Sequence, residues 1–203
     1  MTWFTEILQG NAKWAEEVRQ EDGEFFSRLA TGQSPACLWI GCCDSRTPPT
    51  QIAKRMPGDL FVLRNVANLF SESDTSAMTA LHYAVKVLEV EHIVVCGHYG
   101  CGGVKTAMAG NAEGPVAEWL KPVVELYRKS EKELEKLDDE EERYRHFCEI
   151  NMQQQVLNLC WSPIIQKAWQ SGQALTIHGV MYDVATGRLK DMKLSVKAME
   201  AYV

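Results

Sequence analysis

The 203-residue sequence holds no apolar run that approaches the roughly 20 residues a bilayer span requires, so no membrane association is expected. Its first residues, Met1 to Trp14, lack the basic region and apolar stretch of a secretory signal, and Glu6, Glu16 and Glu17 argue against an Arg-rich, acid-poor transit peptide. A cytoplasmic protein is expected. Clusters of Lys and Arg are also missing: 21 basic residues face 27 acidic ones, for a net charge of −6, and nucleic acid is not the expected partner. There is no C-x-x-C motif, internal repeat, linker or low-complexity segment. The seven cysteines (Cys37, Cys42, Cys43, Cys96, Cys101, Cys148 and Cys160) form an odd set, which suggests free thiols or a metal site and not a disulfide framework. A chain of this length builds a core without cross-links, and residues 1–203 read as one domain.

The order of hydrophobic segments gives the fold class. Thr2 to about Leu29 has helical spacing and ends at Gly32-Gln33-Ser34-Pro35; residues 1–31 are read as a helical arm and 32–203 as an α/β core. Short apolar runs bounded by turn residues predict strands at Ala36 to Cys42, Leu60 to Arg64, His92 to Cys96 and Leu175 to Val184. Helical spacing is expected at Ala77 to Leu88, from Gly103 toward Met108, over the charged stretch Val116 to about Glu142, and from 143 to 170 with an interruption at Ser162-Pro163. Ala185-Thr186-Gly187 makes a turn, and Leu189 to Leu194 returns as an antiparallel strand. Strands alternating with helices, themselves continuously apolar, predict an α/β fold with a mainly parallel sheet.

Two segments fall just past predicted strand ends, where open α/β sheets place their ligand sites: Gly41-Cys42-Cys43-Asp44-Ser45-Arg46 and Gly97-His98-Tyr99-Gly100-Cys101-Gly102-Gly103. Cys42, His98 and Cys101 offer two thiolates and an imidazole. Three protein ligands with an open fourth position is the catalytic zinc pattern. Backbone N–H groups at a helix start are expected to favour Cys101 as thiolate. A lone H-x-x-C carries little information, and Cys42 alone reads as a packed thiol; the case rests on their combination. Asp44 could itself ligate the metal, whereas pairing with Arg46 would hold it back and leave the fourth position to water.

The motifs C-x-D-S-R (Cys42 to Arg46) and G-H-x-x-C-G-G (Gly97 to Gly103) resemble the signature of the β-class carbonic anhydrases. The likeness runs from about Gly32 to Val184 and includes Gly32-Gln33-Ser34-Pro35, Phe61 to Asn68 and Tyr83-Ala84-Val85. The resemblance implies a mainly parallel four-stranded sheet with an added antiparallel strand, flanked by helices, and an N-terminal helical arm that embraces a partner subunit. It also implies one Zn(2+) per chain and reversible hydration of carbon dioxide to bicarbonate and a proton by zinc hydroxide. Asp44 would orient the zinc-bound water and Arg46 would orient Asp44. Gln33, Phe61, Val66, Tyr83 and Gly102 match positions lining the family's substrate pocket, which lies at a dimer interface. A homodimer or dimer of dimers is expected.

Trp39, Arg64 and Tyr182 match a triplet that resembles the bicarbonate-regulated subgroup of that family, in which a bicarbonate outside the active site favours Asp44 as a fourth zinc ligand. Trp39 and Tyr182 also fall inside predicted buried strands, so a packing role is equally open. Two rival functions remain: a carbonyl sulfide or carbon disulfide hydrolase on the same scaffold, and a non-catalytic zinc or bicarbonate-binding protein.

Overall fold

The computed structural model describes residues 2–198. The chain divides into two compact units, Met1–Ser34 and Pro35–Val203, so the break falls at Ser34/Pro35, slightly beyond the end of the expected arm.

The first unit contains helices α1 (Trp3–Glu21) and α2 (Phe25–Ala30). The single helix expected to Leu29 is broken, because Asp22 adopts an extended conformation and stops α1. Its carboxylate then receives the Glu24 amide and pairs with Arg28, fixing the turn into α2. Trp14 meets Phe26 edge-on at 5.6 Å between ring centroids. Thr2 caps α1 by accepting from the Thr5 amide. The apolar side chains Trp3, Phe4, Ile7 and Leu8 are exposed.

The second unit is built on a five-stranded sheet of order β2-β1-β3-β4-β5, with β1 Cys37–Cys42, β2 Leu60–Asn65, β3 His92–His98, β4 Thr176–Asp183 and β5 Arg188–Val196. Four strands are parallel and β5 is antiparallel, as expected. Helices α3 (Pro49–Ile52), α4 (Thr75–His82), α5 (Gly102–Ala109), α6 (Gly114–Leu134), α7 (Glu140–Trp161) and α8 (Pro163–Gln170) connect them. Among the described residues no helix is long and apolar enough to cross a membrane.

Two helical expectations differ in detail. The charged helix ends at Leu134, and Asp139 caps α7 by accepting from the Glu142 amide, so Glu140 to Glu142 belong to the next helix, whose N-terminal dipole favours their charge. The helix over Ala77 to Leu88 changes at Tyr83–Val87 into a π-helical turn, closed by Leu88 N–H donating to the Tyr83 carbonyl at 3.0 Å.

Alternation along the strands separates two faces. Leu38, Ile40, Ile93, Val95, Ile177 and Met181 enter the main core, while Trp39, Cys96 and Tyr182 form a smaller buried cluster on the other face. Helix α7 lies on β3 and β4 at close range. A Cβ on Gly97 would stand 2.9 Å from Met152 Cβ and 2.6 Å from Met181 Sδ, and one on Gly179 would stand 2.7 Å from Met152 Sδ. Both glycines are therefore required for the helix to seat against the sheet. That seating fixes the backbone just before His98.

Candidate metal centre

Cys42 ends β1, His98 ends β3, and Cys101 caps α5. Because β1 and β3 are adjacent and parallel, their C-terminal ends emerge side by side, and the three ligand atoms lie within 4.8 Å of one another. The two sulfurs are 4.0 Å apart. That separation is close to the ~3.8 Å edge of a tetrahedron with Zn–S bonds of 2.3 Å. His98 Nδ1 faces the Tyr99 carbonyl at 3.1 Å, which is met if Nδ1 carries the proton. The Nε2 lone pair is then directed toward the sulfurs. His98 Nε2 is fully buried and has no hydrogen-bond partner, a costly arrangement for a polar atom unless a cation takes it. The donor set, the spacing and this orphaned nitrogen fit a soft-to-borderline divalent metal such as zinc.

The thiols divide their roles. Cys42 is held below the ordinary thiol range, chiefly by the hydrogen bond with Cys101, with further help from the Asp44 and Ala67 amides. Cys101 is pushed upward because it supplies that hydrogen bond and is buried. The Val104 amide at the start of α5 favours the Cys101 anion, in the direction expected of a helix start. Burial and the adjacent Cys42 sulfur oppose that anion, because two neighbouring buried thiolates repel. A divalent cation between them removes that conflict.

Asp44 stands beside the ligands with its Oδ2 at 3.9 Å from His98 Nε2. Arg46 donates through its backbone N–H (2.9 Å) and Nε (2.8 Å) to Oδ1 and through Nη2 (2.6 Å) to Oδ2. These bonds hold the Asp44 carboxyl at about 2, against the opposing effect of burial. Arg46 Nη2 also reaches the Gly100 carbonyl at 3.0 Å, tying the two motif loops together.

Several supporting residues carry no sequence signal of their own. Ala67 (φ 65) and Asn68 (φ 51) adopt left-handed backbone, which is strained for residues with a Cβ. The strain turns the Ala67 amide toward Cys42 Sγ. Asn65 bridges Leu69 through both its amide atoms at 2.7 Å, and Asn151 donates to the Ala67 carbonyl at 3.0 Å, so the turn is clamped on both sides. Tyr144 on α7 donates to the Cys101 carbonyl at 2.7 Å. Trp119 on α6 donates to the Val66 carbonyl at 2.9 Å.

Of the expected pocket residues, Val66 and Gly102 border the centre. A Cβ on Gly103 would meet Val66 Cγ1 at 2.7 Å, and beside Gly102 there is open space. Phe61 is placed differently. It pairs with Leu38, four residues before Cys42, which sets it roughly 13 Å down the strand from the metal ligands. Tyr83 stacks on Phe61 at 5.7 Å and is exposed. These two do not join the centre within one chain. Gln33 is exposed and lies at the end of the first unit.

Trp39, Arg64 and Tyr182 share the sheet face opposite the main core, because Arg64 pairs with Gly41, and Tyr182 with His98. Arg64 donates to the Cys42 and Asp44 carbonyls, each at 2.7 Å.

A mostly parallel sheet with a Cys-His-Cys centre at the C-terminal ends of β1 and β3 defines an α/β protein built to hold a metal. The sequence profile described as Carbonic anhydrase matches residues 37–189. A carbonic anhydrase of Emericella nidulans is 38% identical over 188 residues, covering 93% of this chain and 82% of that protein. A Coccomyxa β-carbonic anhydrase, solved with acetazolamide, superposes with a TM-score of 0.95 at 38% identity, covering 99% of this chain and 91% of the other. One of two tetrameric β-carbonic anhydrases of Sordaria macrospora superposes with a TM-score of 0.91 at 38% identity, covering 95% and 98%. The chain belongs to the β-class carbonic anhydrase family.

Proposed function

We propose that the protein catalyses the reversible hydration of carbon dioxide to bicarbonate and a proton, with one zinc ion held by Cys42, His98 and Cys101. The observation that carries this reading is the buried, unpartnered His98 Nε2 beside two sulfurs, with the Asp44 carboxylate 3.9 Å away. Bound there, zinc supplies the Lewis acidity that brings the pKa of water to ~7, and with it a nucleophile for the substrate carbon at neutral pH. Asp44, with a pKa of about 2, is too weak a base to remove a proton near neutrality. Its part is to accept a hydrogen bond on Oδ2 and orient the water. Arg46 occupies the remaining carboxylate positions, so Asp44 is kept off the metal and aimed. Val66 and Gly102 form an apolar, uncharged edge suited to a neutral linear substrate.

Phe61, Tyr83 and Gln33 are assigned to the pocket of a second copy. The ~13 Å offset of Phe61 from its own ligands supports this, as does its exposed stacking partner Tyr83 on the free edge at β2. The exposed apolar side chains of α1 suit the same association. The functional unit is accordingly a homodimer or a dimer of dimers.

The Trp39–Arg64–Tyr182 face is assigned as a regulatory bicarbonate site. The supporting observation is that Arg64 also holds the Cys42 and Asp44 carbonyls. An anion drawing its guanidinium away would free the Asp44 loop to turn its carboxylate onto the metal.

The test is stopped-flow hydration of carbon dioxide at mildly alkaline pH on protein of known zinc content. Fast turnover proportional to zinc is expected. Negligible turnover with zinc fully loaded would overturn the assignment in favour of a sulfur-containing substrate or a binding role.

A further inference from the structure

At the opposite end of the sheet from the metal centre, two histidines face each other across β3 and β4. His92 opens β3, and His178 sits two pairs further along β4, where Val94 is its register partner. Strand alternation puts both on one face. Along the seven-residue strand β3 His92 lies roughly 20 Å from His98, and His178, level with Val94, roughly 13 Å. His92 Nδ1 and His178 Nε2 are 3.2 Å apart, with the rings tilted by 46°. Behind them, His178 Nδ1 lies 2.9 Å from Ser195 Oγ, held by the β4–β5 pairing of His178 with Ser195.

We propose that His92 and His178 form a second metal site, specific for a divalent transition ion that accepts imidazole nitrogen, such as Zn(2+). Two nitrogens bound to one tetrahedral zinc at 2.0–2.1 Å are separated by about 3.3 Å, close to the observed 3.2 Å. In the unligated pair the N–H of one imidazole donates a hydrogen bond to the bare nitrogen of the other. Metal binding needs both lone pairs. It requires one tautomer: His92 carries its proton on Nε2, and His178 carries its proton on Nδ1 and hydrogen-bonds through it to Ser195 Oγ. No proton is lost or gained, and Ser195 takes the outer-sphere role that fixes the orientation of a ligating histidine.

The surroundings are consistent with a neutral, metal-accepting pair. Burial and the neighbouring His92 lower the His178 pKa. Asp191 on β5 is close enough to favour a cation, although its carboxylate is also engaged by Lys193 at 2.8 Å; Lys197 opposes a cation. With no third protein ligand the remaining positions fall to water, so binding is weaker than at the thiolate centre. Imidazole donors select Zn(2+), Cu(2+) or Ni(2+) over Mg(2+) or Ca(2+).

The experiment is equilibrium dialysis of the zinc-loaded protein against micromolar free Zn(2+), followed by counting zinc per chain. The wild type is expected to hold two ions, and His92→Gln and His178→Gln one each. Retention of the first zinc shows that the variants are folded. A rise in Tm with added Zn(2+), present in the wild type and lost in both variants, is expected alongside. One zinc in the wild type that both variants retain would overturn the proposal, as would a second zinc that survives in either variant. Were the Cys42–His98–Cys101 centre itself to hold no zinc, the wild type would bind one ion that both histidine variants lose. The two failures are thus distinguishable.

Discussion

Arg46 grips the Asp44 carboxylate at both oxygens, through Nε at 2.8 Å and Nη2 at 2.6 Å, and the oxygen on the Nη2 side is also the one that faces His98. Arg46 is itself half exposed, with 52% of its side chain accessible against 15% for Asp44. An exposed ion pair contributes little to stability. This pair instead sets where a partly buried acceptor points, and its removal should register in turnover before it registers in folding.

Asp44→Asn is accordingly expected to retain zinc and lose roughly 10²-fold in kcat, the scale of a mispositioned acid–base group. Arg46→Ala should do the same and add a tendency for Asp44 to bind the metal. Metal counting beside stopped-flow turnover checks both; full activity of Asp44→Asn across pH would remove the residue from the mechanism.

His98→Ala and Cys42→Ser each leave two ligands, and both should lose metal and activity together. Each should also lose the Tm increase that metal gives the wild type, since a ligand bound only by the folded state stabilises it by mass action. Thermal melts with and without chelator measure this.

Tyr144→Phe removes the hydroxyl that donates to the Cys101 carbonyl at 2.7 Å. The cost is expected to be about 1–2 kcal/mol of stability for the buried carbonyl left without a donor. Zinc affinity should fall roughly 10-fold, because the ligand loop loses a fixed point. Competition with a chromophoric chelator reads the affinity separately from the melt.

Gly97→Ala forces a methyl to within 2.6 Å of Met181 Sδ and 2.9 Å of Met152 Cβ. Overpacking of this kind costs about 1–3 kcal/mol, and α7 must lift from β3 to relieve it. Denaturant unfolding gives the cost; a variant as stable as the wild type would show that the helix is not seated as described.

The His178 pair makes the protein acid-sensitive. The pKa of His178 lies below its ordinary 6.5 in the folded chain, first because it is buried and then because His92 repels a second charge. Between the folded value and 6.5 the unfolded chain binds more protons, so stability rises with pH through that window and is lost as pH falls through it. Urea midpoints measured from about pH 5 to 8 without free divalent metal should show this slope, and His178→Gln should flatten it.

Much of this protein is local and therefore legible in its sequence. Strands such as Cys37–Cys42 announce themselves as apolar runs, and Pro163 marks the start of α8 because it has no N–H to give a preceding turn. The motif residues Cys42, Asp44, Arg46, His98 and Cys101 could be singled out because metal and acid–base chemistry admits few residue types. The break after Glu21 was hidden, because Asp22 ends α1 by a side-chain turn that helical periodicity does not register. Nothing in the sequence marked Ala67 either. An alanine held at φ 65 is an ordinary residue until Asn65, Asn151 and the Cys42 sulfur surround it.

Residue type and local spacing singled out the candidate ligands Cys42, His98 and Cys101 and the Asp44–Arg46 pair, and placed them at the ends of two parallel strands. Tertiary structure alone brought the Cys42 and Cys101 sulfurs, 59 positions apart, to 4.0 Å, where two thiolates repel unless a cation lies between them. It likewise set Phe61 roughly 13 Å down the strand from Cys42 of the same chain, and brought His92 and His178, separated by 86 positions, to 3.2 Å. The physical reason is the same in each case. Residue type and spacing fix what a side chain can do, but Coulomb energy, ligation and packing depend on distances that only the folded sheet register sets.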